Sequence, residues 1–288
     1  MSATRPVMND RARQMAGVTW TSLEHGATAY ALHGDERGPK VVLVHGTSSP
    51  SFVWAPTVEH LVEAGFRVLT YDLYGRGFSD RPAVRYDLDL YVGQLHQLLQ
   101  HVGWSEAVRV VGWSLGGVIA AAWAAGHPGM CYPGVAMIAP GGFGVRIPLA
   151  ARLLMFPVVG DLLLATVGRK VLAESWRKGF VEPDRWDDFG WRFQEQLAYE
   201  GVERAVLSTL RSVKISDQSV LWRKLAEQGR PVLLIWGKQD ATCPATGVDV
   251  ARTFFADLTV LEIDGAGHAV HQERPLDVGE ALVTFLRG

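Results

Sequence analysis

Val108-Arg109-Val110-Val111-Gly112-Trp113-Ser114-Leu115-Gly116-Gly117 is the stretch on which the reading of this chain turns. A short aliphatic run ends in glycine, and an alanine-rich helical pattern, Leu115–Ala125, begins immediately after it. That order predicts a strand, a sharp turn and a helix. A serine on such a turn has a strained backbone, so small residues must stand two before and two after it, and Gly112 and Gly116 do. The turn would hold the hydroxyl clear of the sheet, with backbone N–H groups of the helix start beside it for a developing oxyanion. The bland alternative is a glycine-rich turn closed by a helix-capping serine. Strand before and helix after favour a nucleophile at Ser114.

The same alternation continues outward. Lys40–Val44, Arg67–Tyr71, Val108–Gly112, Gly134–Ile138, Val232–Trp236 and Thr259–Ile263 are short aliphatic runs of the kind buried on both faces of a parallel sheet. Pro56–Ala64, Leu88–His101, Leu115–Ala125, Gly247–Phe255 and Pro275–Leu286 read as helices between them. Thr19–Leu23 and Ala27–Leu32, flanking His25-Gly26, predict an antiparallel hairpin at the sheet edge. The fold class is therefore α/β, a doubly wound, mostly parallel eight-stranded sheet. Between Phe143 and Arg230 the strand pattern stops, and helical patterns with four tryptophans replace it. Such an insertion at the carboxyl ends of the strands reads as a cap over the site. The expected division is residues 1–142 and 229–288 for the core and 143–228 for a helical cap inserted after the sixth strand.

Composition narrows the function. The 288 residues are 48% hydrophobic and 20% charged, with 28 basic against 30 acidic side chains. This is ordinary for a globular domain, and a net charge of −2 leaves no electrostatic footprint for nucleic acid or an anionic membrane. Cys131 and Cys243 cannot build a disulfide framework, and no Cys/His cluster has zinc spacing. The first residues, with Arg5, Asp10, Arg11 and Arg13, lack the apolar run of a secretory signal. Ile147–Gly168 is apolar enough to suggest a bilayer span, but Arg152, Pro157, Gly160 and Asp161 interrupt it. It is expected to form helices covering an apolar pocket, or packed on the core, in a cytoplasmic protein with no stable membrane insertion.

A serine hydroxyl needs a base. His268, in Gly265-Ala266-Gly267-His268 after the last strand, is favoured over His45 and His271. His45 is expected to brace its own loop, and His271 to begin the following turn. The base needs a carboxylate to fix its tautomer. Asp240, just past Val232–Trp236, is favoured, with Asp72 as its best competitor. Asp264 stands too near His268 in sequence to reach its ring easily. For the oxyanion, the N–H of Leu115 is one expected donor and that of Thr47, after His45-Gly46, the other, with Ser48 as fallback. Trp113 and Phe143 are candidate substrate-binding residues because they lie near the expected site in sequence terms, and like Trp54 they have core packing as the competing reading.

Together these residues resemble the α/β-hydrolase superfamily in its cap-bearing branch. The matching elements are His45-Gly46, Asp72-x-x-Gly75-x-Gly77-x-Ser79, the elbow at Ser114, Gly237-x-x-Asp240 with Pro244, and Gly267-His268 with Glu273-Arg274-Pro275. The resemblance implies a Ser-His-Asp hydrolase, in the order Ser114, Asp240, His268, needing no metal or cofactor. Haloalkane dehalogenases and epoxide hydrolases of the same branch place aspartate at the elbow, unlike Ser114. Three readings stay open. The first is a carboxylic-ester hydrolase, esterase- or lipase-like, for small to medium apolar substrates. The second is a carbon–carbon bond hydrolase acting on ring-cleavage dienoates. Members of that group usually have a longer glycine-rich oxyanion loop and a tryptophan after the histidine, where this chain has Ala269. A basic residue such as Arg192 facing Ser114 would favour it. The third is a non-catalytic binding protein on the same fold. Cofactor-free perhydrolase side activity is also known in the superfamily.

Overall fold

Val41 to Val44 have no exposed surface, and neither do Val108, Val110 and Val111, so these strands are covered on both faces. Burial on both faces is why they read as unbroken aliphatic runs and not as alternating ones. The computed structural model describes residues 5–145 and 155–288. Its strands are β1 (Thr19–Leu23), β2 (Gly26–His33), β3 (Lys40–Val44), β4 (Arg67–Tyr71), β5 (Val108–Trp113), β6 (Cys131–Ile138), β7 (Val232–Gly237) and β8 (Leu258–Ile263). They form one sheet in the order β1-β2-β4-β3-β5-β6-β7-β8. β1 and β2 are the expected antiparallel hairpin, β2 joins β4 antiparallel, and from β4 to β8 every pairing is parallel.

Helices close the crossovers in two layers. Ala55–Glu63 packs on Pro275–Arg287, while Leu88–His101 and Ser219–Ala226 flank Leu115–Gly126. Local chemistry sets some of the starts: Asp87 precedes Leu88–His101, and its carboxylate accepts the N–H of Leu90 at 3.1 Å.

Two departures have physical causes. β6 begins at Cys131, three residues earlier than the aliphatic run suggested. Val108 pairs with Cys131 but Val110 pairs with Val135, so Tyr132-Pro133-Gly134 bulges out and a proline with no N–H is accommodated. A short helix, Asp10–Met15, was not foreseen; the Asn9 side chain caps it by accepting from Ala12 at 3.0 Å.

Between β6 and β7 the described residues are helical or irregular, with helices at Val159–Leu163, Arg169–Ala173, Asp187–Glu195, Val202–Ser212 and Ser219–Ala226. The two ends of this segment meet. The N–H of Gly142 donates to Ile215 O at 2.7 Å, and that of Gln218 to Gly142 O at 3.1 Å, beside an isolated bridge between Phe143 and Asp217. Of the apolar window Ile147–Gly168, residues 147–154, with Arg152, lie outside the described residues. Within the rest, Phe156, Val158, Val159, Leu162 and Val167 are exposed. Among the described residues no helix is long and apolar enough to cross a membrane.

Candidate active site

Ser114 stands between β5 and the helix Leu115–Gly126 with φ +56° and ψ −118°, a conformation that a non-glycine residue adopts only when its surroundings enforce it. The glycines around it are steric requirements. A Cβ on Gly112 would lie 2.1 Å from Gly116 O, and one on Gly116 would lie 2.0 Å from Val44 O. The Ser114 side chain makes no capping hydrogen bond to its helix, which removes the reading of a capping serine. The residue is half-buried. As first residue of the helix, Leu115 has an N–H with no acceptor in the preceding turn.

The loop after β3 lies directly against this turn: a Cβ on Gly46 would come 3.3 Å from Ser114 Cβ and 3.0 Å from Trp113 Cε3. Hydrogen bonds fix its peptide planes one by one. The N–H of Leu73 donates to His45 Nε2 at 2.9 Å, so the ring proton is on Nδ1, which donates to Gly46 O at 2.8 Å. His45 thus braces its own loop. In a trans peptide the N–H points opposite to its carbonyl, so the N–H of Thr47 is directed away from the His45 ring. Arg76, buried, donates from Nε to Thr47 O at 2.7 Å and from Nη2 to Thr209 Oγ1 at 2.9 Å. Gln196 donates to Ser48 O at 2.7 Å and accepts from Gly77 N at 3.3 Å. Two residues of the helical segment, Thr209 and Gln196, therefore help hold the loop. Sequence reasoning missed them, because a bond to a distant partner leaves no local pattern.

His268 and Asp240 are brought together. His268 Nδ1 donates to Asp240 Oδ2 at 2.7 Å, and Asp240 Oδ1 accepts the N–H groups of Thr242 at 2.7 Å and Cys243 at 2.8 Å. The carboxylate side chain is completely buried and fully partnered. With Nδ1 bearing the proton, Nε2 of a neutral His268 carries the free lone pair. The turn at Gly237 and the loop at Gly267 touch so closely that a Cβ on Gly237 would lie 2.3 Å from Gly267 O. The rival carboxylates are engaged elsewhere. Asp72 accepts from Ser51 N and Phe78 N, both at 2.8 Å, and Asp264 pairs with Lys238 at 2.9 Å.

Trp113 and Phe143 are placed as packing residues. The indole of Trp113 donates to His268 O at 2.8 Å and its ring lies 4.8 Å from that of His271. Phe143 stacks on Trp222 at 4.4 Å with edges toward Trp236 and Phe255. Trp113→Phe leaves the His268 carbonyl without its donor and is expected to cost about 1–3 kcal/mol of stability, read as a lower denaturant midpoint at unchanged slope.

His271 is wholly buried between Trp54 at 4.9 Å and Trp113, with no hydrogen-bond partner for either ring nitrogen among the described residues. Burial, and secondarily the neighbouring His268, push its pKa down to about 3; burial pushes that of His45 down to about 4. Both rings stay neutral in the folded protein while the unfolded chain takes up protons near pH 6.5. Their stabilisation is complete above pH 6.5 and is lost as pH falls toward 4, because the unfolded state there binds more protons. Thermal midpoints are expected to fall from pH 7.5 to 4.5, and His271→Leu to flatten that fall.

A cavity of about 680 Å³ lies against Pro50–Phe52, the N-terminal helix and Arg192, Gln196 and Tyr199, and neither Ser114 nor His268 is among its lining residues. Arg192 sits there, 4.7 Å over the Phe52 ring.

Comparison with known proteins identifies the family and the fold. The profile of the Alpha/beta hydrolase family matches residues 41–281. A pimeloyl-(acyl-carrier protein) methyl ester esterase of Xanthomonas campestris pv. campestris is 30% identical over 256 residues, covering 86% of this chain and 95% of its own. Among solved structures, the enol-lactonase from Burkholderia xenovorans LB400 superimposes with a TM-score of 0.80 at 21% identity, over 94% of this chain and all of that one. The bromoperoxidase from Bacillus anthracis gives 0.79 at 24% identity with the same coverage. The chain belongs to the alpha/beta hydrolase family.

Proposed function

We propose that this alpha/beta hydrolase cleaves carboxylic esters through a triad of Ser114, His268 and Asp240 and an acyl-enzyme on Ser114. The observation that carries the reading is the buried, fully partnered Asp240 fixing the tautomer of His268, with Ser114 uncapped on its strained turn. His268 Nε2 takes the proton from Ser114 Oγ as that oxygen attacks the ester carbonyl. The oxyanion is held by the N–H groups of Leu115 and Thr47, each donor worth on the order of 10²–10³ in turnover. Collapse of the tetrahedral intermediate releases the alcohol, which leaves with the proton from the imidazolium. His268 then deprotonates a water, which attacks the acyl carbonyl, and a second collapse returns the proton to Ser114 Oγ and frees the acid. Because Asp240 stabilises the imidazolium without taking its proton, the pair acts at both steps.

The segment between β6 and β7 is the cap in this reading. Ser219–Ala226 packs on the elbow helix with the core, so the cap proper lies between the stem residues Phe143 and Asp217. Gln196 and Thr209 tie it to the oxyanion loop. The substrate class is small to medium apolar esters. The name of the Xanthomonas relative adds methyl esters of acyl chains to the candidates. Carbon–carbon cleavage of dienoates is the weaker reading, since Arg192 lies over Phe52 in the wall of a cavity that Ser114 does not line.

The test is a panel of p-nitrophenyl esters from acetate to laurate, methyl pimelate and a ring-cleavage dienoate, with Ser114→Ala as blank. Serine-dependent turnover of the esters is expected. Cleavage of the dienoate alone would replace this reading with the carbon–carbon one.

A further inference from the structure

His268 is held through its main chain at three consecutive residues. The N–H of Gly267 donates to Glu273 Oε2 at 2.6 Å, the carbonyl of His268 accepts from Trp113, and the N–H of Ala269 donates to Gly179 O at 2.7 Å. Gly179 belongs to the cap. Two residues further on, the N–H of Val181 donates to the other oxygen of Glu273, Oε1, at 2.8 Å. One carboxylate therefore receives an N–H from the base loop and an N–H from the cap strap. The approach is close: a Cβ on Gly267 would lie 2.9 Å from Gly179 O.

We propose that Glu273 is the positioning residue for His268, clamping the cap strap Gly179–Val181 onto the loop that carries the base. The inference rests on the reading of His268 as general base. Both clamp bonds are charge-assisted, from neutral N–H groups to an ionised carboxylate, and so are stronger than ordinary amide bonds. Glu273 touches no reacting atom. It follows His268 by five residues, at the end of the helix Val270–Glu273, and its own N–H donates to Ala269 O at 3.2 Å. Strap, base loop and helix thus form a closed ring of hydrogen bonds around the imidazole's backbone. Without the carboxylate, Gly267 and Val181 lose their acceptors together, and the strap can lift from the loop. A shift of about 1 Å in a reacting group costs on the order of 10² in rate, so the clamp acts on kcat, while ground-state binding of a small ester stays as it was.

The experiment compares the full-length wild type, Glu273→Ala, Glu273→Gln and Ser114→Ala on p-nitrophenyl butyrate. Folding is checked by near-ultraviolet circular dichroism, and the downfield proton NMR signal of the His268–Asp240 hydrogen bond is recorded. For Glu273→Ala, kcat is expected to drop on the order of 10²-fold with KM changed by less than about 3-fold, and the downfield signal to broaden. Glu273→Gln keeps one acceptor oxygen and is expected to recover part of the loss. If the alanine variant does not fold, the glutamine variant decides, with an expected kcat about 10-fold below wild type. Folded variants with kcat within about 2-fold of wild type and a sharp downfield signal would overturn the proposal and leave Glu273 a structural staple. That holds even if their thermal midpoints fall. Wild-type turnover in Ser114→Ala would be a different failure: the triad reading would fall, and the role of Glu273 with it.

Discussion

Ser114→Ala is expected to lose on the order of 10⁴–10⁶ of ester turnover while its thermal midpoint stays within about 2 °C of wild type. The two halves of this expectation have separate causes. The hydroxyl makes no capping bond to the helix it precedes, so its removal takes no hydrogen bond from the helix start. The backbone strain at φ +56° is borne by alanine as by serine, since both carry a Cβ. In the proposed mechanism what is lost is the atom that forms the acyl-enzyme, leaving only substrate binding and the proposed oxyanion donors to accelerate attack by water. Steady-state kinetics and a thermal melt on the same preparation check both halves.

Asp240→Asn carries the second largest effect, about 10⁴-fold in kcat with the fold intact. The asparagine is nearly isosteric, so the Thr242 and Cys243 N–H groups can keep an acceptor at Oδ1. If the amide turns its oxygen toward His268, that oxygen has no charge to stabilise imidazolium and the two N–H groups face the NH₂; if the oxygen stays at Oδ1, His268 meets an NH₂ group that prefers an unprotonated Nδ1. The second case puts the ring proton on Nε2, where it cannot accept from Ser114. The same change at Asp72 is expected to cost stability in the loops at Ser51 and Phe78, whose N–H groups it binds, and far less turnover. Parallel measurement of kcat and unfolding midpoint for the two variants separates them. A larger kcat loss at Asp72 in a folded protein would move the acid to that residue.

How far the sequence carried depends on whether a constraint is local. Strands β3, β4, β5 and β7 are visible as aliphatic runs because a parallel sheet buries both of their faces, whereas β8, at the sheet edge, leaves Thr259 and Glu262 exposed and is not the doubly buried strand expected. β6 is only half visible, since Pro133 conceals the pairing of Cys131 and the bulge that accommodates it. The turn at Ser114 is legible because its glycines are demanded by contacts under 2.5 Å with neighbouring backbone. Asp240 and His268 could be picked out by their places just past strand ends, and the structure brings them to 2.7 Å.

What stayed hidden is what a hydrogen bond to a distant residue holds in place. Trp113 was open to substrate contact or packing, and nothing local shows that its indole reaches His268 O, 155 residues along the chain. Gln196 reaches Ser48 across 148 residues, and Arg76 reaches Thr209 across 133. No periodicity announces such bonds. Glu273 was visible only as one letter in a resemblance, and its two partners lie on different parts of the fold. Phe143 had core packing as its competing reading, and its ring stacks on Trp222 where the helical segment after β6 begins.

The central claim is that Ser114, activated by His268, is the acyl-bearing nucleophile. The most direct measurement is titration with a fluorophosphonate probe, with residual esterase activity and the site of the adduct followed by peptide mass spectrometry. The account predicts one equivalent bound, on Ser114, with activity falling in proportion and no labelling in His268→Ala. Activity that survives complete labelling of Ser114, or an adduct on another residue that tracks the loss of activity, would contradict it.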